Sequence, residues 1–534
     1  MPENWSRVTR FGAPSVSPRD GELLAASLPT ESSKIDLHRD STVSESLRAA
    51  PNDRSRLVGL AVITAAFITS RLFALNAGIF MHVHPDFVQL LDFPLLSSHL
   101  TQSIFYLHAQ PPLLNLTLGL ALKLFPNSYP IFFAVIFWLL GLLLALTLYN
   151  LMTGLGVPWW ISLTLTVLFE ISPATLLFEN LYYDTYPVAF LLCYAAYSLN
   201  RFLRTGSRFH GKAFVVVLGL PMFLNPSFQI VWFLGVGGIL LFLGYERIKP
   251  LVPTGLVILV LILSIYIKNL IVFGTFSTSS SLGIGLAAMT TRQLPNAELN
   301  ELVKQHILSP FAPLPPFPLV KATAPRTGVP TLDETVDSGF GMRKPNSNCL
   351  EYIGVARTDL HDALWVMSHR PSAFAQGEWR GIKNYFDPAS INLLYLQRNR
   401  ILPWCKLYEG FLYPPGLPTF AVDPLMDTLI RAEPATGPPS TVLMIVFPGL
   451  ALFAILKVVS SWRIQRLRDA DGFTMLYIVL AILYLTPLGS LVTLGEDNRY
   501  RYLLDPLYVA LLGVLLGQVW NTLAAKMTEF STSS

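Results

Sequence analysis

Long apolar stretches recur along most of this chain, and their lengths suit membrane-spanning helices. A bilayer core about 30 Å thick needs roughly 20 apolar residues per helix, because no backbone polar group facing lipid can be left without a hydrogen bond. The stretches that satisfy this criterion are 57–79, 129–151, 157–177, 185–203, 226–244, 251–273, 438–459, 473–494 and 503–523. A shorter stretch, 213–224, is joined to the next one through Leu224-Asn225-Pro226-Ser227, which predicts a tight helical hairpin. The pattern predicts an all-α polytopic membrane protein with about ten transmembrane helices.

The distribution of lysine and arginine supports this count and orients the chain. Basic residues near span ends accumulate on the cytoplasmic side of membrane proteins. Ten crossings place fourteen such residues on one side: Arg48, Arg54, Arg56, Arg201, Arg204, Arg208, Lys212, Arg247, Lys249, Lys457, Arg463, Arg466, Arg468 and Lys526. Lys123, Arg499 and Arg501 fall in the short loops of the other side. We therefore predict that both termini are cytoplasmic.

The same pattern divides the chain into domains. Residues 1–55 are rich in Ser, Pro, Arg and Glu without apolar periodicity, which predicts a disordered cytoplasmic tail. The segment Pro111–Phe125 is too short to span and is expected at the membrane surface. The remaining domains are an N-terminal transmembrane module, 56–273, with an outer loop, 81–128; an outer soluble domain, 274–437; C-terminal transmembrane helices, 438–525; and a cytoplasmic tail, 526–534.

Composition narrows the class further. Of the 534 residues, 52% are apolar and only 13% are charged, about half the usual charge of a soluble domain. The net charge of +4 is too small for this length to suggest nucleic-acid binding. The three cysteines exclude a disulfide-rich scaffold and fit no spaced zinc motif, and whether Cys349 and Cys405 pair is left open.

Unusual polar residues gather on the predicted outer side, in four places. The first loop holds four of the nine histidines, together with Asp86. The other three places are Glu179 to Asp184, Lys268-Asn269 with the Ser277 to Ser281 turn, and Glu496 to Tyr502. Arginine binds phosphate in a bidentate manner and a carboxylate can take a proton or hold a metal, so these residues indicate phosphate chemistry at the membrane boundary.

Structural explanations compete with this functional one. A charged residue just outside a helix is often a solvated or snorkelling anchor. Arg71 and Glu170 lie within spans, where a mutual structural pairing is at least as good an explanation as function. The arginines of 499–501 could pair with Glu496, Asp497 and Asp505 in an ion cluster. The His82-x-His84 pair alone is too small to define a metal site, so metal dependence is left open.

Several motifs, taken in order, resemble the GT-C superfamily of polytopic glycosyltransferases, in particular protein mannosyltransferases and lipid A aminoarabinose transferases. The resemblance covers roughly residues 57–525. The matching features are Asp86 after the first span, His108-Ala109-Gln110-Pro111-Pro112-Leu113, Asp184 opening the fourth span, Asn269 to Phe276 followed by Ser280 to Gly285, and Arg499-Tyr500 or Arg501-Tyr502 before the last span. Two departures, Ala109-Gln110 before the prolines and Asn225 in the hairpin where a cation is usual, leave the donor sugar and any divalent metal open.

This resemblance implies an inverting glycosyltransferase of the bacterial inner membrane. It implies transfer of a sugar from a polyprenyl-phosphate donor to an acceptor of unknown kind at the outer face. Asp86 is then the catalytic base that deprotonates the acceptor. The expected substrate-binding residues are Glu179, Asp184, His108, Gln110, Lys268, Arg499, Tyr500 and Arg501. Among them, Arg499 and Arg501, and secondarily Lys268, are expected to hold the donor phosphate. The alternatives are a lipid or solute transporter, in which these residues line a passage, and an inactive envelope scaffold.

Overall fold

The computed structural model describes residues 53–83, 89–314, 327–333, 335–337, 343–392, 397–413, 440–463, 469–492 and 495–533. The helices of the N-terminal part are α1 (Asp53–Asn76), α2 (Phe93–Ser98), α3 (Leu100–Phe105), α4 (Pro112–Leu124), α5 (Tyr129–Gly154), α6 (Trp159–Glu170), α7 (Pro173–Glu179), α8 (Thr185–Thr205), α9 (Arg208–Gly219), α10 (Ile230–Leu243), α11 (Tyr245–Ile248) and α12 (Val252–Phe273). Those of the rest are α13 (Leu282–Met289), α14 (Asn296–Lys304), α15 (Glu351–His369), α16 (Pro371–Tyr385), α17 (Leu402–Glu409), α18 (Thr441–Arg463), α19 (Ala470–Val492) and α20 (Asp497–Ser533). Strands β1 (Thr335–Asp337) and β2 (Arg343–Pro345) form an antiparallel pair.

Six helical segments in the described part of the chain are long and apolar enough to cross a membrane. They are Arg54–Asn76, Tyr129–Gly154, Tyr245–Phe273, Thr441–Ser461, Ala470–Gly489 and Asp497–Glu529. A seventh is obtained if α6 and α7, which meet at an angle of 59°, form one broken span. These apolar helices indicate an all-α, multi-pass membrane protein.

The ten crossings expected from the sequence are not confirmed. The hairpin consists of α9 and α10, which have 12 and 14 residues, each too short to span the bilayer alone. Helix α8 has 21 residues but contains Asn200, Arg201 and Arg204, and it is not among the six. Helix α4 has 13 residues, so it is also too short to span the bilayer alone.

The break between α6 and α7 has a local cause in the sequence. Ser172 adopts an extended conformation, and its hydroxyl oxygen accepts a hydrogen bond from the Thr175 amide at 3.2 Å. Pro173 follows as the first residue of α7, where its missing amide hydrogen costs nothing. A serine cap before a proline starts a new helix, so the predicted single span 157–177 becomes two helices with different axes.

Helix α8 lies at the centre of the largest apolar core and packs against α5, α9, α19 and α20. Small residues on α8, such as Ala189, Ala195 and Ala196, are fully buried and allow these neighbours to approach closely. This packing fixes the first turn of α8, and Asp184 directly precedes it.

Residues 274–437 contain helices α13 to α17 and the β1–β2 pair in their described parts. Helix α13 packs on α15, and α16 packs on α19 and α20. All three cysteines are buried and none of them forms a disulfide, so Cys349 and Cys405 do not pair here. Each belongs to a different apolar cluster, Cys349 with Tyr352 and Cys405 with Ile401.

We predict that Gly283→Ala destabilises the protein. A Cβ at Gly283 would overlap the carbonyl oxygen of Ala356 and lie 2.7 Å from the Leu360 amide, so α13 and α15 would have to separate. Overpacking of this kind costs about 1–3 kcal/mol, which should lower the melting temperature of detergent-purified protein.

Gly354→Ala is the matched control. Gly354 lies on α15, it is exposed, and a Cβ there would meet nothing within 4 Å. Replacing an exposed helical glycine with alanine should stabilise by about 0.5–1 kcal/mol. Equal melting temperatures for the two variants would contradict the close packing of α13 on α15.

Candidate functional site

Asp86, the predicted catalytic base, lies outside the described residues, but both sides of its segment are described. His82 pairs through its backbone with the chain at Leu181, accepting from the Tyr182 amide at 2.8 Å. On the other side, the Gln89 side-chain amide donates to a carboxylate oxygen of Asp184 at 3.2 Å. Both ends of the segment are therefore attached to residues 181–184.

Asp184 is fully buried and has a complete set of partners. Its Oδ1 lies 2.9 Å from Nη1 of Arg499, and its Oδ2 accepts from Asn225 at 2.7 Å and from Gln89. Burying an ionised carboxylate is costly unless it is paired and hydrogen-bonded, and here both conditions hold. We call Asp184, Arg499, Asn225 and Gln89 the Asp184 network.

Arg499 is held on several sides. Its Nη2 donates to Glu496 at 2.6 Å, and its guanidinium carbon lies 4.8 Å from the ring centroids of Tyr183 and Tyr500. The Nε atom is buried and has no hydrogen-bond partner among the described residues. One cation thus faces two carboxylates, so Arg499 is electrically compensated within the protein.

The hairpin before α10 extends this network. Asn225 accepts from the Ser227 amide at 2.8 Å, and the Ser227 hydroxyl donates to Tyr500 Oη at 3.0 Å. Two residues later, Gln229 donates from its side chain to Thr278 Oγ1 at 3.0 Å. The hairpin therefore connects the start of α20 to the serine-rich turn after α12.

The serine-rich turn also contacts the first outer loop. Ser279 donates through its hydroxyl to the Ala109 carbonyl at 2.6 Å, and the Ser280 amide donates to the His108 carbonyl at 2.9 Å. Lys268 donates through Nζ to the Leu107 carbonyl at 2.7 Å. Members of all four polar places noticed in the sequence are thus joined by one chain of contacts.

His108 is buried and has a defined tautomer. Its Nε2 lies 3.0 Å from the carbonyl oxygen of Asn348, which can only accept, so this nitrogen carries the hydrogen. Its Nδ1 then accepts from the Ser280 hydroxyl at 2.7 Å. Burial, followed by the positive charge of Lys268, lowers the pKa of His108 to about 4, although hydrogen bonding to the Asn348 backbone opposes this. The imidazole is therefore neutral at pH 7.

Lys268 differs from Arg499 in its charge balance. It is half-buried at the end of α12, with the Leu107 carbonyl as its hydrogen-bond acceptor and the Phe273 ring centroid 5.6 Å away. Within the described part of the chain, it pairs with no carboxylate. A ligand anion could therefore compensate its charge.

Two predicted substrate-binding residues have partners outside the Asp184 network. Glu179 binds Nε of Arg71 at 2.6 Å. Arg71 also pairs with Glu170, as the structural explanation of these two residues predicts. Arg501 donates through Nη1 to the carbonyls of Tyr385 and Asp387 at 2.8 and 2.5 Å and pairs with Asp505 at 3.3 Å. Arg501 therefore links the end of α16 to α20.

Gln110 is buried, and its Oε1 has no hydrogen-bond partner among the described residues. The amide oxygens of Gln89 and Asn269 share this property. Unsatisfied buried acceptors are rare and costly, and each is able to accept a hydrogen bond from a hydroxyl or amine of a ligand.

Sequence reasoning did not single out Gln89, Ser227, Gln229 or Asn348, because uncharged amides and hydroxyls give no pattern that marks them.

No group of three or more His, Cys, Asp or Glu residues in the described part of the chain is arranged to hold a metal ion. His84 and Asp86 lie outside that part, so the His82-x-His84 question stays open. The Asp184 carboxylate already has protein partners on both oxygens.

No family model and no curated protein matches the chain. Among solved structures, the apo form of the Archaeoglobus fulgidus oligosaccharyltransferase is similar to it, with 14% sequence identity and a TM-score of 0.36. The match covers 89% of this chain, which spans about half, 52%, of that protein. At this TM-score the likeness carries no argument about fold or function.

We predict that acid destabilises the protein partly through His108. Because its pKa in the folded state, about 4, lies below the ordinary 6.5, the unfolded chain binds the proton more readily between these values. The stability that neutral His108 contributes is present above pH 6.5 and falls as the pH drops toward 4, by at most about 1.4 kcal/mol per pH unit. Melting temperatures of His108→Gln should therefore fall less over this range than those of the wild type.

His361→Gln serves as the control, because the His361 side chain is 77% exposed. Its acid profile should follow the wild type. An unchanged profile in His108→Gln would mean that this imidazole is not held neutral by the fold.

Proposed function

We propose that the protein is a membrane glycosyltransferase that moves a sugar from a polyprenyl-phosphate donor to an acceptor at the outer face. The observation that carries this proposal is the continuous set of contacts linking the first outer loop, the serine-rich turn, the hairpin and the Asp184 network. Those are the motifs on which the GT-C resemblance depends. A donor of this kind keeps its chain in the lipid while its phosphate and sugar reach a polar site at the boundary.

Asp86 is the proposed catalytic base. Inversion at the anomeric carbon requires removal of the acceptor hydroxyl proton as the new glycosidic bond forms and the bond to the lipid phosphate breaks. The residues His82 and Gln89, on either side of Asp86 in the sequence, contact the chain at 181–184, which supports the assignment of the base to this loop. Asp184 itself is a poorer base, because both its oxygens already accept hydrogen bonds and one of them pairs with Arg499.

Lys268 is the proposed main contact of the leaving phosphate. A leaving phosphate gains negative charge, which a nearby cation stabilises. Arg499 already faces Asp184 and Glu496, and Arg501 is engaged by backbone carbonyls and Asp505. Lys268 has no carboxylate partner in the described part of the chain, so an added anion completes its charge balance.

An apolar cavity of about 330 Å³ offers a surface for part of the prenyl chain. It is lined by residues of α18, α19 and α20 and the end of α16, including Phe447, Pro448, Leu483, Pro487 and Tyr508. Tyr385 also lines it, and the backbone carbonyl of Tyr385 binds Arg501, which faces the opposite side of α20 from Arg499. An apolar lining of this kind suits a prenyl chain rather than a soluble nucleotide.

We predict that purified protein transfers label from radiolabelled polyprenyl-phosphate sugars, and that Asp86→Asn reduces turnover by about 100-fold or more. The amide preserves the shape of the carboxylate but cannot take the proton. The measurement is label lost from the lipid fraction and gained by added acceptors, with melting temperatures confirming that the variant is folded.

Asp469→Asn, at an exposed carboxylate on the predicted inner side, should retain full turnover. In proteoliposomes, a transporter would instead move intact labelled lipid or sugar across the bilayer. Normal turnover in folded Asp86→Asn would refute the base assignment, and label that never leaves any donor tested would refute the transferase proposal.

We also predict that Lys268→Ala weakens donor binding by at least about tenfold, or about 1.4 kcal/mol. Lys268 has no carboxylate partner in the described part of the chain, so its loss should remove its attraction for the phosphate. Titration of detergent-purified protein with a polyprenyl-phosphate sugar, or with the polyprenyl phosphate alone, gives the affinity.

Lys268→Arg keeps the charge and should restore most of the affinity. Lys406→Ala removes an exposed lysine of α17 and should leave binding unchanged. Equal donor affinity in Lys268→Ala and the wild type would show that Lys268 does not bind the donor and only forms its hydrogen bond to the Leu107 carbonyl.

A further inference from the structure

Arg71 forms a three-membered ion cluster where α1 meets the break between α6 and α7. Its Nη2 lies 2.8 Å from Glu170 and its Nε lies 2.6 Å from Glu179. Its Nη1 also donates to the Glu170 backbone carbonyl at 3.0 Å. Glu170 is the last residue of α6 and Glu179 the last of α7, so one guanidinium holds the ends of both helices.

The charges of this cluster do not balance. Arg71, Glu170 and Glu179 are 2%, 1% and 0% exposed, and they lie among apolar helices. With both glutamates ionised, the cluster carries one uncompensated negative charge. No second cation pairs with either glutamate in the described part of the chain. An isolated charge in such a place is strongly disfavoured and is removed most simply by binding a proton.

Two oxygens of the cluster also lack partners. Glu170 and Glu179 each use Oε2 for Arg71, while each Oε1 is buried without a hydrogen bond. The hydroxyl of Tyr186, a residue with no exposed surface, is likewise unpartnered. Tyr186 Oη and Glu179 Oε1 lie on the same side, because a Cβ on Gly141 would overlap both.

The groups facing the cluster come from every helix packed around it. Helix α1 contributes Ser70, whose hydroxyl accepts from Arg71. On α6, Thr166 lies one turn before Glu170 on the same helix face, and its hydroxyl has no hydrogen-bond partner in the described part of the chain. Tyr502 on α20 also faces it, but the Tyr502 hydroxyl donates to Thr175 at 3.1 Å. The neighbours are therefore neutral hydroxyls, and none of them compensates the extra carboxylate.

We propose that Glu170 and Glu179 hold one proton between them, so that Arg71, one carboxylate and one neutral carboxylic acid form a buried proton-binding site. The neutral acid can donate its hydrogen to a neighbouring oxygen, and Glu179 Oε1 and Tyr186 Oη are both buried without a hydrogen-bond partner in the described part of the chain. The bound proton makes the cluster neutral and keeps α1 fastened to the broken helix pair. This site is separate from the proposed transfer chemistry, and Glu179 belongs to it.

Infrared spectroscopy of the detergent-purified full chain tests the proposal. A carboxylic acid has a C=O stretching band that a carboxylate lacks and that shifts in D₂O. The wild type should show this band at neutral pH, and Glu179→Gln and Glu170→Gln should each lose the same part of it. In either variant, the remaining glutamate ionises against Arg71. The double variant should lose no more than either single one.

Glu246→Gln is the matched control, because the Glu246 side chain is 78% exposed and pairs with Lys249. Its spectrum should match the wild type in this region. If neither single variant loses carboxylic acid intensity relative to the wild type, the proton-binding site is refuted.

Melting temperatures in sodium and choline buffers supply a second, independent readout. A proton requires no metal ion, so the wild type should melt at the same temperature in both. A sodium-dependent rise that both Glu→Gln variants abolish would show that a cation neutralises the cluster, and would overturn the proposal.

Discussion

The ion pair between Asp184 and Arg499 ties together the two parts of the chain that build the candidate site. It joins the start of α8 to the start of α20 across 315 residues. Both charges are buried, so each is tolerated only in the presence of the other. Asn225 and Gln89 both donate to this carboxylate. The carboxylate therefore holds the hairpin through Asn225, and it holds Gln89, the described residue that follows the Asp86 segment.

The positions of the apolar helices could be predicted well from the sequence, because the length of an apolar stretch is a local property. Every predicted span coincides with a helix or a pair of helices. The number of crossings could not be predicted in the same way. Whether α8 to α10 cross the bilayer depends on tertiary packing, for example on the burial of Asn200, whose side-chain amide donates to Thr474 at 3.2 Å.

The candidate site was predictable in part. Asp184, Arg499, Tyr500, His108 and Lys268 lie on the linked set of contacts. Arg501 does not belong with them because α20 begins at Asp497 rather than at residue 503, so residues 499–501 are helical. Positions two apart on a helix are separated by about 200° and face opposite sides. Glu179 pairs with Arg71 rather than with the Asp184 network, and it ends the short helix α7 that begins after the Ser172-Pro173 break.

The Arg71 cluster has a consequence for biogenesis. Its glutamates follow Arg71 by 99 and 108 residues, so α1 leaves the ribosome well before either of them is synthesised. An arginine in a spanning helix opposes insertion by roughly 2.5–3.5 kcal/mol at the helix centre. We therefore expect helix α1 to enter the bilayer first with its guanidinium stretched toward the lipid headgroups. We expect it to reach its final depth and rotation only after α6 and α7 have been inserted beside it.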